Sequence, residues 1–260
     1  MKTTCILSSD MPDPTILRVG DYFYLTCSTL NYSPGLIIRR SADLVKWETV
    51  CSVFDDCLGD VWAPELAQHN GKFYIYFPTN KNGRIQVFAT CSDRIDGGWC
   101  TPAPVGADYL IDPGFISDGK NSWLYFNDGY CARLTEDCMR LAENPHKVWR
   151  PWQFPTDWKT EGICAESPKL FRKNGFYYLI AAEGGTAGPP TSHMAVCFRA
   201  VTPLGPIPQT KSGGLRGMLH ILKMPTEKGI LFITVIKIPI VIWAGRYLFA
   251  GLSGQGTASL

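Results

Sequence analysis

Four stretches of the chain share one order of apolar and polar positions. Each opens on a proline, runs through a short apolar strand to a glycine turn, and returns through a strand rich in aromatics. They read "DPTILRVGDYFYL", "APELAQHNGKFYIYF", "DPGFISDGKNSWLYF" and "SPKLFRKNGFYYLI". Their prolines are Pro14, Pro64, Pro113 and Pro168, and their turn glycines are Gly20, Gly71, Gly119 and Gly175. Short apolar strands joined by N-G or D-G turns predict β-hairpins. Repetition at a period of roughly fifty residues, with about four strands per unit, predicts an all-β protein, a β-propeller. A β-sandwich with coincidental turns is the competing fold, and the matched spacing from proline to glycine disfavours it.

In a propeller the first strand of each blade runs beside the central axis. The residues just before the four prolines then converge on one pocket. These are Asp13, the Trp62–Ala63 pair, Asp112, and Glu166 with Ser167. Three carboxylates and one indole would face each other, although each Asp-Pro taken singly is also an ordinary turn.

Composition narrows the classes. Hydrophobic content of 45% and charged content of 18% are those of a globular protein. A net charge of +2, with no basic run, argues against a nucleic-acid partner. The start "MKTTCILSSDMPDP" is too short and polar for a secretory signal, so a cytoplasmic location with reduced thiols is expected. The ten cysteines form no CxxC pair and the four histidines do not cluster near them, so no zinc site is expected.

Three carboxylates around a sugar-sized pocket suit glycoside hydrolysis. One carboxylic acid protonates the leaving oxygen, and a second carboxylate acts on the opposite face. If the second activates water, the configuration is inverted and the two groups stand roughly 6.5–9.5 Å apart. A third carboxylate beside the acid raises its pKa by like-charge repulsion. The face of Trp62 offers an apolar platform for a sugar ring. Calcium is the competing use of clustered carboxylates, but it calls for more oxygen ligands at closer spacing.

The segments "PDPTILRVGDYFYLTCSTLNYSPGLIIRRSADLVKW", "GDVWAPEL", "IDPGFISDG", "AESPKLF" and "AEGGTAGPPTSHM" together resemble glycoside hydrolase family 43. The resemblance runs from about Ser9 to Arg199. It implies a five-bladed propeller acting as a β-xylosidase or α-L-arabinofuranosidase. Carried over by motif, it makes Asp13 the general base, Asp112 the residue that tunes and orients the acid, and Glu166 the general acid. It places Trp62 in the sugar subsite and brings His193 near the substrate. It implies an oligosaccharide partner and no cofactor; an axial calcium occurs in the family, but nothing in this sequence supports one. Two departures stand out. Leu30 occupies a position where many xylosidases carry an aromatic, and Phe115 follows "DPG" where a polar residue is common.

The resemblance fades after "PLGP", and the apolar run "KGILFITVIKIPIVIWAGRYLF" follows where a fifth blade is expected. Read one base out of phase, Thr210–His220 permits "EKWWSKGHAT", and Lys223–Gly245 permits "DADGKGYFIYHGYKNSYCNLGRQ". Two letters leave no choice. Met224 before Pro225 forces Ala, and Trp243 before Ala244 forces Gly; both agree with the blade-like string. These observations predict a frameshift between Pro206 and Thr210, with residues 1–206 forming blades one to four and 207–260 a mis-framed tail in place of the fifth. A membrane anchor fits poorly, because Lys237 and Pro239 interrupt a run already shorter than the roughly 20 residues a spanning helix needs. The expected activity is therefore inverting, exo-acting hydrolysis of xylan-derived oligosaccharides (β-1,4-xylosidase), weakened or lost in the chain as written. α-L-Arabinofuranosidase activity, a non-catalytic carbohydrate-binding propeller and a damaged product are the alternatives.

Overall fold

The computed structural model describes residues 4–7, 9–151, 153, 156, 162, 164–184 and 194–205, and the backbone of strands at 220–222, 230–235, 238–243 and 248–250. Among the described residues, four antiparallel sheets of four or five strands follow in sequence order, arranged like the blades of a propeller. Blade one comprises Thr15–Val19, Tyr22–Thr26, Ile38–Ser41 and Glu48–Cys51. Blade two holds Asp60–Val61 and Glu65–His69 as a split inner strand, then Lys72–Lys81, Arg84–Ser92 and Ala103–Asp108. Blade three comprises Gly114–Ser117, Ser122–Tyr125, Tyr130–Arg133 and His146–Lys147. Blade four comprises Ala165–Lys173, Phe176–Glu183, Met194–Ala200 and His220–Leu222.

The turn chemistry fixes the hairpins. Asn70–Gly71 and Asn174–Gly175 both take left-handed dihedrals at their two central residues, which matches the twist of the flanking strands. Asn82–Gly83 does the same between the second and third strands of blade two. The wider turn before Ser122 is closed by Asp118, whose Oδ1 accepts the N–H groups of Lys120 and Asn121 at 2.8 Å each.

The repeated prolines do more than start strands. A proline cannot donate to a ladder, so inside a sheet it is confined to edges, strand starts and bulges. In blades one and three the inner strand begins immediately after it, at Thr15 and Gly114. In blades two and four the pairing runs past it with a one-residue slip. Val61 pairs with Thr79 but Glu65 with Tyr76, and Glu166 pairs with Ala182 but Lys169 with Ile180. Each slip bends the inner strand at its axial end, where bulges commonly re-aim side chains.

Successive inner strands lie side by side, Thr15–Val19 against Glu65–His69, then Gly114–Ser117, then Ala165–Lys173. Among the described residues three apolar seams hold the blades together. Ile38, Val53 and Leu36 of blade one meet Leu66, Ile75 and Phe77 of blade two. Tyr76, Val87 and Val105 of blade two meet Phe115, Leu124 and Phe126 of blade three. Ile116, Tyr125 and Trp149 of blade three meet Tyr177, Leu179 and Val196 of blade four. The other face of blade one carries a smaller cluster, Met11, Leu25 and Cys27, among the described residues.

Phe115 stacks on Tyr76 with ring centroids 5.9 Å apart, so this departure from the family pattern fills a seam. Leu30 takes a left-handed conformation and bridges Val61, next to Trp62. The fourth strand of blade four, His220–Leu222, comes from the stretch expected to be a mis-framed tail. A hairpin of Ile230–Val235 and Ile238–Trp243 follows it, and Leu248–Ala250 pairs with Thr4–Leu7. Runs of β-branched residues favour such strands. Among the described residues no helix is long and apolar enough to cross a membrane.

Candidate active site

The residues immediately before three of the four prolines, Asp13, Asp112 and Ser167, all adopt left-handed backbone dihedrals, with φ of 54°, 55° and 49°. That conformation is strained for a side chain with a Cβ, and Asp tolerates it better than most. The three residues share this backbone conformation at one repeat position, and there Asp112 meets Ser167 and lies within electrostatic reach of Asp13. Outliers of this kind gather where the surrounding structure over-determines them.

Asp13 is held from blade one itself. The Ser28 hydroxyl donates to its Oδ2 at 2.5 Å, while the Ser28 N–H donates to the Pro12 carbonyl at 2.9 Å. Asp112 is held from the next blade. Its Oδ2 accepts the Ser167 N–H at 3.0 Å and the Ser167 hydroxyl at 3.3 Å. Because Ser167 follows Glu166 directly, these bonds tie Asp112 to the strand that carries the third carboxylate. Glu166 is half-buried on the inner strand of blade four, opposite Ala182.

A second pair of contacts braces the same place from the turn 127–129. Asn127 exchanges bonds with Ile111, its Oδ1 accepting the Ile111 N–H at 3.0 Å and its own N–H donating to the Ile111 carbonyl at 3.1 Å. Asp128 Oδ1 accepts the N–H of Ala165 at 3.2 Å. One turn thus fixes the residue before Asp112 and the residue before Glu166.

Both aspartates titrate above the ordinary carboxylate value of 3.8. Burial is the main cause for Asp13, opposed by the Ser28 hydrogen bond and by the charge of Lys169. Asp112 is pushed up to about 6, first by burial and then by the negative charge of Asp13, against the Ser167 hydrogen bonds and Lys169. Two carboxyls that oppose each other's ionisation keep a proton available near neutral pH.

Beneath them lies a polar hub that the sequence analysis missed. The position just after each proline carries Thr15, Glu65, Gly114 and Lys169. Glu65 joins all four inner strands. Its Oε2 accepts the Lys169 ammonium at 2.5 Å and the Thr15 hydroxyl at 3.3 Å, and its Oε1 accepts the Phe115 N–H at 3.3 Å. The Thr15 hydroxyl oxygen in turn accepts the N–H of Leu66 at 3.2 Å. Gly114 allows this closeness, since a Cβ there would collide with the Pro168 carbonyl oxygen. The signal was present in the repeat, two residues beyond the positions before the prolines.

Trp62 is half-buried at the break in the inner strand of blade two, where its N–H donates to the Pro78 carbonyl at 2.9 Å. Among the described residues it belongs to none of the apolar clusters. His193 lies outside the described residues. Among the described residues no group of three or more His, Cys, Asp or Glu side chains is arranged to hold a metal ion.

The sequence profile of Glycosyl hydrolases family 43 matches residues 3–216. A Vibrio protein named xylan 1,3-beta-xylosidase is 30% identical over 210 residues, covering 70% of this chain and 38% of that protein. A Bacteroides ovatus protein named non-reducing end alpha-L-arabinofuranosidase is 31% identical over 221 residues, covering 77% and 39%. Among solved structures, a family 43 protein from Bacillus licheniformis superposes with a TM-score of 0.66 at 29% identity, covering 79% of this chain and 42% of that one. The chain thus spans about two fifths of the length of these relatives.

Proposed function

The chain belongs to glycosyl hydrolase family 43, and on that premise we propose that its four blades carry the site of an inverting, exo-acting glycosidase for xylan-derived oligosaccharides. In this reading Asp13 takes the proton from the attacking water, and Glu166 gives one to the departing sugar oxygen. Asp112 orients Glu166 through Ser167 and shares the proton economy of the pocket. Trp62 supports the sugar ring. The reading is carried by one observation above the rest, the convergence of Asp13 and Asp112 with the Glu166–Ser167 pair at equivalent places in three blades.

The chemistry follows from the environment. A general base and a general acid work best when their pKa values lie near the working pH, and burial raises carboxyls towards it. Water attack from the Asp13 side and protonation from the Glu166 side invert the anomeric centre, provided a water fits between them. The hub of Glu65 and Lys169 ties the inner strands together, which matters because misplacement by about 1 Å can cost a hundredfold in rate.

Hydrolysis of α-L-arabinofuranosides is the second reading, favoured by the named activity of the Bacteroides ovatus relative. Paired assays on nitrophenyl β-xyloside and nitrophenyl α-L-arabinofuranoside separate the two, and NMR of the first-formed sugar reports inversion. We further propose that the stretch after Pro206 is out of frame and limits activity by replacing the fifth blade. The test compares this chain with one repaired by a single base between the codons for Pro206 and Thr210. The repaired protein should hydrolyse one of the two glycosides, and Asp13→Asn or Glu166→Gln in it should lose about 10²–10⁴ in kcat. Equal activity of the unrepaired chain removes the frameshift proposal. Full activity of the Asp13 and Glu166 variants removes the assignment of the base and acid.

A further inference from the structure

Two cysteines outside the pocket hold their thiols in direct contact. The Sγ atoms of Cys91 and Cys100 are 3.5 Å apart. Both side chains are half-buried, so small molecules reach them. Cys91 is the penultimate residue of the strand Arg84–Ser92, and Cys100 precedes the strand Ala103–Asp108 that pairs with it. The Cys100 N–H donates to the Cys91 carbonyl at 2.9 Å, and the Cys91 N–H donates to the Cys100 sulfur at 3.1 Å. The backbone bond holds the two residues side by side, and the sulfurs need approach by only about 1.5 Å to reach bonding distance.

We propose that Cys91 and Cys100 form a reversible dithiol–disulfide pair, oxidised by hydroperoxides. The Cys100 sulfur attacks a peroxide oxygen, the O–O bond breaks, and Cys100 becomes a sulfenic acid while the departing hydroxide takes the thiol proton as water. The Cys91 sulfur then attacks the Cys100 sulfur, the S–O bond breaks, and hydroxide leaves with the Cys91 proton as a second water. Two thiols and one hydrogen peroxide give one disulfide and two waters, the two sulfurs supplying the two electrons.

The surroundings assign the order. Burial pushes the Cys100 thiol up, but the N–H of Cys91 and the neighbouring Thr90 hydroxyl pull it further down, to below its ordinary value. Cys91 is pushed up to about 11, by burial first and then by Cys100. Cys100 is therefore the nucleophile and Cys91 the resolving thiol. Closing the pair staples the loop between them, which is already ordered by Ser92, whose hydroxyl donates to the Gly97 carbonyl at 2.7 Å. That loop carries Ile95 and Trp99 into the seam between blades one and two, so oxidation fastens this seam.

The full chain is treated with hydrogen peroxide under native conditions and again in guanidinium, alkylated, and digested with trypsin without reduction. Arg94 lies between the two cysteines, so cleavage leaves them on separate peptides joined only by the new bond. The expected result is a loss of 2 Da, two fewer alkylated thiols, and a joined Cys91–Cys100 peptide formed at least about tenfold faster in the folded chain, because held proximity raises effective concentration. Cys91→Ser should trap Cys100 as a sulfenic acid that reacts with dimedone, and Cys100→Ser should leave Cys91 free. Full alkylation of both cysteines after the exposed Cys57 has oxidised overturns the proposal, as does equal linkage in guanidinium. The wild-type mapping decides even if a variant fails to fold.

Discussion

The seam between blades two and three and the outer flank of blade one are built from the same kind of hairpin, yet they differ in how much they bury. The seam encloses large side chains from both sheets, including Tyr76, Leu124 and Phe126, each fully buried. The flank cluster gathers Met11, Leu25 and Cys27 around partly covered Leu7, Ile16 and Trp47. Blade packing is a property of pairs, because a sheet face gains most when a second sheet covers it. Asp13 therefore belongs to the blade with one strongly sealed face, whereas Asp112 sits between two seams.

The sharpest break in this comparison should come from the hub that joins all four inner strands. Glu65→Ala strips the carboxylate from the part-buried Lys169 ammonium, the Thr15 hydroxyl and the Phe115 N–H at once, and removal of one member of a buried pair costs about 3–5 kcal/mol. Chemical denaturation should show it, and a loss below about 1 kcal/mol would mean that the blades hold together without the hub. Next, Phe126→Ala in the seam should cost about 3–5 kcal/mol, and Met11→Ala on the flank about 2 kcal/mol. Equal losses at the two sites would erase the distinction between seam and flank.

A smaller effect has the opposite sign. Folded Asp112 binds its proton more tightly than the unfolded chain does, with a pKa of about 6 against 3.8. Its contribution to stability is then fully present below about pH 4 and is lost as pH rises through about 6. Asp112→Asn should remove this slope and stabilise the fold at neutral pH by about 2 kcal/mol, discounted from the full shift for the side chain's opening to solvent. Urea unfolding at pH 4 and pH 7.5 checks it, and an unchanged slope in the variant would sink the assignment. Smallest of all, Ser28→Ala removes a bond that holds Asp13 down, so the Asp13 carboxyl should titrate higher still. A carboxyl-resolved NMR titration reads this shift, and no upward movement would free Asp13 from Ser28.

Much of this arrangement was legible because turns and prolines repeat. Asn70–Gly71 and Asn174–Gly175 specify hairpins through their dihedrals alone, and four such signals at one spacing specify blades. The nearness of Asp13 to Asp112 fits the same repeat. Glu65 and Lys169 were not legible, because a pair separated by more than a hundred positions declares itself only when the inner strands lie side by side. The slips at Trp62–Pro64 and Ser167–Pro168 were hidden for a related reason. A proline announces a missing donor, but the sequence does not say whether the strand begins there or bulges past it.

The position after each proline carries threonine, glutamate, glycine and lysine, one in each blade, and this has a consequence for symmetry. A ring of identical blades would place four copies of one side chain at the axis. Four glutamates would repel, four lysines likewise, and four glycines would leave the centre unfilled. The observed set works only as an assortment, with one anion, one cation, one hydroxyl and one gap that admits a neighbour's backbone. The blades are therefore no longer interchangeable, although their turns still match. Duplicating or exchanging any of them would preserve every hairpin and disrupt the centre on which all four converge.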